Sequence, residues 1–122
     1  MGLQRGKTVL CIGSDLIHLN LRCSLLKEHG WRVDSAGSGH EGVVRFGRER
    51  FDVVILDLND GGAESALIAG ELKRQRPDVA IIILVNANVQ TPGATLQADA
   101  VVEKSKEAEL LHKALRKVLG AG

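Results

Sequence analysis

The chain has 122 residues, 44% hydrophobic and 25% charged, with 16 basic against 15 acidic side chains and a formal net charge of +1. That length suits one domain and is short for two. The near-neutral charge gives no overall pull toward nucleic acid, and one Trp, two Phe and no Tyr leave few stacking surfaces for bases or sugars.

The expected layout is one domain over residues 1–122, with a core at about 7–119 and short tails, "MGLQRG" and "GAG", at either end. The opening hexapeptide starts like a myristoylation signal but has Gly at its sixth position. No apolar run approaches the roughly 20 residues that cross a bilayer. No charged-then-apolar leader opens the chain. The expectation is a soluble cytoplasmic domain without direct membrane or nucleic-acid contact.

The first strand is predicted at "TVLCI" (8–12), followed by the polar break Gly13-Ser14-Asp15. That break reads equally as a glycine turn, a nucleophile, a metal site or a helix cap. A helix is predicted over 15–29, with Ile17, Leu21 and Leu25 as its core stripe and Gly30 as its stop. A second stripe, Leu19, Cys23 and Leu26, is then spare and is offered to a partner or a second copy. His18 and Arg22 read as a solvated face.

"WRVDSA" (31–36) is the second strand and 38–50 the second helix. "GSGHEG" (37–42) lacks the Lys of a P-loop and follows the second strand, so it does not read as a nucleotide site. "FDVVILDL" (51–58) is a nearly continuous apolar strand that suits a sheet covered on both faces. A helix over 63–76 is closed by Pro77. "VAIIILV" (79–85) is the fourth strand and "DAVVE" (99–103) the fifth. Pro92-Gly93 lies between them, so a helix there, the fourth in order, is shortened. The last helix covers 106–119, with Glu107 and Glu109 in its first turn and Arg116 and Lys117 in its last.

Cys11 and Cys23 have neither CxxC spacing nor a nearby His, and read as buried packing residues. His18, His29, His40 and His112 are scattered and read as surface residues.

Strand–helix alternation through five units implies an α/β fold, a doubly wound five-stranded parallel (βα)5 sheet with flavodoxin-like strand order 2-1-3-4-5. Its ligand crevice lies at the C-terminal ends of the first and third strands. Gly13-Ser14-Asp15 and Asp57 both fall there. A carboxylate ending a buried strand is a candidate nucleophile or metal ligand. Lys104, ending the fifth strand, can approach Asp57 and favour its charged form.

"FDVVILDLNDGG" with Asp57, followed by "VVEKS" with Lys104, resembles the CheY-like receiver domain of bacterial response regulators over about 7–119. The resemblance implies a non-enzymatic signalling domain of a two-component phosphorelay, with Asp57 as phosphoacceptor and Lys104 as phosphoryl contact. It implies a sensor histidine kinase or another signalling protein as partner; the spare stripe, read from periodicity, separately suggests a homodimer.

The family holds Mg²⁺ with an acidic pair after the first strand, the phosphoacceptor and a backbone carbonyl two residues beyond it. Here the pair falls on Gly13 and Ser14, Asp15 comes one position later, and Asn59 supplies the carbonyl. Weak Mg²⁺ binding, or no cofactor, is therefore expected. The phosphoryl-binding hydroxyl of the fourth strand falls on Val85 or Asn86, the switch aromatic on Val101, and the Pro after the Lys on Ser105. The implied domain is thus an atypical receiver with a degenerate metal pocket. The alternatives are a phosphorylation-independent pseudo-receiver acting by protein contact, and a small flavodoxin-like ligand-binding domain.

Overall fold

In the computed structural model, which describes residues 7–58, 63–86 and 97–120, five parallel strands form one sheet. The elements are β1 (Thr8–Gly13), α1 (Leu16–Glu28), β2 (Arg32–Ala36), α2 (Gly39–Arg48), β3 (Val53–Asp57), α3 (Ala63–Gln75), β4 (Ala80–Val85), β5 (Ala100–Glu103), a 3₁₀ turn (Lys104–Lys106) and α4 (Glu107–Val118). The strand order is β2-β1-β3-β4-β5, as expected from the sequence. The shortened helix expected between the fourth and fifth strands falls on residues 87–96, outside the described residues.

Side chains alternate along each strand, and the two parities build two cores. Val9, Cys11, Val53, Ile55, Ile82 and Leu84 face α1 and α4. Leu10, Ile12, Val54, Leu56, Ile81 and Ile83 face α2 and α3. With both faces covered, β1, β3 and β4 need unbroken apolar runs, and that is what they have. Asp57 continues the parity of Val53 and Ile55, so it belongs to the α1/α4 face.

Local chemistry sets the helix ends. Asp15 caps α1: its Oδ1 accepts from the backbone N–H of Ile17 at 3.1 Å and of His18 at 3.3 Å. Gly30, at φ 94°, lets the chain leave α1 in the left-handed region. "GSGHEG" is a helix entry. Ser38 Oγ accepts from the Glu41 N–H, and Glu41 Oε1 from the Gly37 N–H. Gly42 permits close packing, because a Cβ there would lie 2.3 Å from Ile12 Cδ1.

One expectation is inverted. Leu19, Cys23 and Leu26 are the buried face of α1, while Ile17 (80% exposed), Leu21 and Leu25 face outward. The Asp15 cap fixes where the helix starts. The buried residues 19, 22, 23 and 26 form an i, i+3, i+4, i+7 face. That face includes Arg22, which is buried, not on the solvated face expected from the sequence.

Candidate functional site

The site lies at the C-terminal ends of β1, β3 and β5. Parallel pairing sets Gly13 opposite Asp57. Asp57 is 3% exposed. β5 ends at Glu103, so Lys104 enters the 3₁₀ turn beside it, and its Nζ lies 2.5 Å from Asp57 Oδ1. The two residues singled out from the sequence thus meet as an ion pair.

Arg22 reaches the same carboxylate from α1. Its Nη2 donates to Asp57 Oδ2 at 3.0 Å and to Glu107 Oε1 at 2.9 Å, and its Nε donates to Glu107 Oε2. Arg22 is 5% exposed. Burying a guanidinium is costly unless its donors are matched, and here two carboxylates match those on Nε and Nη2. Burial pulls the Arg22 pKa down, but the hydrogen bonds and charge of Glu107, then the charge of Asp57, outweigh it and raise it. Glu107 opens α4, where the helix dipole favours a carboxylate. Two cations, Arg22 and Lys104, therefore face two anions, Asp57 and Glu107.

The other predicted site residues lie apart from this network. Asp15 Oδ1 caps α1, and Oδ2 pairs with His18 Nδ1 at 2.8 Å. The His18 backbone N–H is the first cause that holds the Asp15 pKa below its usual value. Asn86 is exposed just beyond β4, and continuing the strand alternation by one residue puts position 86 on the Asp57 face. Val85 packs toward α2 and α3. Asn59 lies outside the described residues.

Mg²⁺ takes several oxygens, including one or two carboxylates. Positions 13 and 14 offer none, Asp15 serves its helix, and both Asp57 oxygens already face cations. Among the described residues no group of three or more His, Cys, Asp or Glu is arranged to hold a metal. The described residues do not fit the family's Mg²⁺ site. Position 13 is nonetheless beside Asp57: a Cβ on Gly13 would lie 3.8 Å from Asp57 Cβ and 3.4 Å from its carbonyl oxygen.

A groove of about 350 Å³ runs between α1 and α4, lined by Leu21, Leu25 and Leu111 with Arg22, Lys104 and Glu107. At its far end His112 is half-buried, while His18, His29 and His40 are exposed as expected. Trp31 Nε1 donates to His112 Nδ1 at 3.2 Å, and the His29 and His112 ring centroids are 4.0 Å apart. Cys11 and Cys23 are free, buried packing residues, as expected. The neighbouring Cys11 thiol first, then the charges of Lys27 and Arg22, lower the Cys23 pKa to about 7.

Residues 9–116 match the family model of the response regulator receiver domain. The transcriptional regulatory protein ZraR of Salmonella typhimurium is 28% identical over 119 residues, which are 94% of this chain and 27% of that protein. The chain therefore spans about a quarter of that relative's length. Among solved structures, the response regulator TrrA of Thermotoga maritima in complex with Mg²⁺ and BeF is 28% identical, with a TM-score of 0.83 over 93% of this chain and 99% of that one. TrrA in complex with the histidine kinase ThkA gives 28% identity and a TM-score of 0.82, covering 93% and 98%.

Proposed function

From the premise that the chain belongs to the response regulator receiver domain family of two-component systems, we propose that Asp57 is its phosphoacceptor. An Asp57 carboxylate oxygen attacks phosphorus, and the bond from phosphorus to the donor breaks. The donor leaves and an acyl phosphate remains. Lys104 neutralises the added charge, and the Asn86 amide donates to a phosphoryl oxygen. Asp57, Asn59 through its carbonyl and Asp15 are the oxygens left for Mg²⁺, and its affinity is expected to be weak.

The partner is a sensor histidine kinase or another signalling protein, by analogy with the ThkA–TrrA complex. The chain acts as a signalling domain in the cytoplasm rather than as an enzyme. Among the described residues no helix is long and apolar enough to cross a membrane. The proposed receiver unit spans about residues 7–119.

The observation that carries this reading is the buried Asp57 at the end of β3, with Lys104 Nζ 2.5 Å from its Oδ1. Incubation with acetyl phosphate, with and without Mg²⁺, followed by intact mass, tests it. One phosphoryl adduct on wild type and none on Asp57→Asn is the expected result. An adduct that survives in Asp57→Asn would overturn the assignment.

The occupied Asp57 carboxylate also favours a second reading, a pseudo-receiver that works by protein contact alone. Absence of an adduct from acetyl phosphate and from cognate kinases would select it.

A further inference from the structure

We propose that Arg22 is the resident cation of this pocket, holding at Asp57 the place that the family gives to a divalent metal. The inference deepens the receiver reading and rests on Asp57 being the residue that reading uses.

Arg22 sits on a helix face otherwise made of Leu19, Cys23 and Leu26. A guanidinium there is 5% exposed and has little solvent to satisfy it. Glu107 grips it through both Nε and Nη2, a planar two-point hold that a lysine cannot reproduce. The same Nη2 then reaches Asp57 Oδ2. Lys104 takes Oδ1. The cation is therefore fixed by its own anion on α4 and directed at the carboxylate on β3.

The sequence changes at the mouth of the pocket agree with this. A metal brings two positive charges and needs the acidic pair to hold it. A guanidinium brings one, and Gly13 and Ser14 add no negative charge for a second cation. Arg22, Lys104, Asp57 and Glu107 already balance. Mg²⁺ approaching Asp57 meets two tethered cations, which repel it and must be displaced. Arginine stays protonated at every relevant pH and cannot be chelated away. Charge compensation of Asp57 is thus independent of the metal concentration.

The test is a Mg²⁺ titration of the full chain followed in ¹⁵N–¹H spectra. Wild type should show no saturable shifts in Cys11–Gly13 or Ile55–Leu58 at low-millimolar Mg²⁺. Arg22→Met, similar in length but uncharged, should bind Mg²⁺ roughly tenfold or more tightly. Adding Asp57→Asn to it should abolish that binding. Saturable shifts in wild type that Asp57→Asn removes would overturn the proposal. So would a folded Arg22→Met that binds no better than wild type.

Should Arg22→Met fail to fold, Glu107→Gln keeps the arginine and loosens its anchor. A smaller gain in Mg²⁺ affinity is then expected, and no gain counts against the proposal. The acetyl phosphate assay judges the phosphoacceptor separately. An adduct that forms only with Mg²⁺ leaves Asp57 in its role and removes Arg22 from its own. No adduct together with metal-blind spectra does the reverse.

Discussion

Arg22 shows how one charged side chain becomes part of a core. It occupies a position that helix periodicity assigns to the sheet, and it is tolerated there because Glu107 and Asp57 accept its hydrogen bonds. Breaking such a buried pair by removing one member costs about 3–5 kcal/mol, whereas replacing the whole set with apolar groups can be neutral. His112 is a second residue whose surroundings decide its behaviour. Burial first, then His29 and Arg116, hold its pKa below the ordinary histidine value. The unfolded chain therefore binds that proton more readily than the folded one. Stability is full above the ordinary value of 6.5 and is lost as pH falls below it, through the lower folded-state value. In thermal melts, wild type should lose stability on acidification more steeply than His112→Gln, which keeps an acceptor for the indole of Trp31. Trp31 is the sole tryptophan, so its fluorescence should follow the same titration. Equal acid sensitivity in both proteins would remove His112 from this role.

At the scale of elements, α1 carries the main correction. Its two apolar stripes look alike in sequence, and the choice between them depends on which face also takes Arg22. A reader who bars charge from the core picks Ile17, Leu21 and Leu25, the wrong stripe. The pairing that would have corrected this lies 85 positions away, at Glu107. Leu26→Ala should therefore cost about 2–5 kcal/mol in denaturant unfolding, as a large-to-small change in a packed core. Leu21→Ser and Leu25→Ser, on the exposed side, should stay within about 0.5 kcal/mol. The opposite ranking would mean that α1 is rotated. The strands were easier to read. Two-sided burial forces continuous apolar runs in β1, β3 and β4, and these leave few alternatives to a parallel sheet.

For the whole molecule, the sequence pattern led to the five-unit topology, the strand order and the meeting of Asp57 with Lys104. Each of these follows from local periodicity combined with a handedness rule. The site was legible only in part. The Arg22–Glu107 grip and the Trp31–His112–His29 cluster join residues far apart in the chain, and no local spacing announces them. That positions 13 and 14 carry no acid was visible, but the Arg22 contact to Asp57 was not, because it comes from the body of a helix. The central claim is that Asp57 and Arg22 form one ionic unit. A double-mutant cycle of wild type, Arg22→Met, Asp57→Asn and the double variant, measured by denaturant unfolding, tests it most directly. The account predicts a coupling of about 1–3 kcal/mol, with the double variant more stable than the two single losses sum to. Additive losses, with coupling near zero, would contradict it.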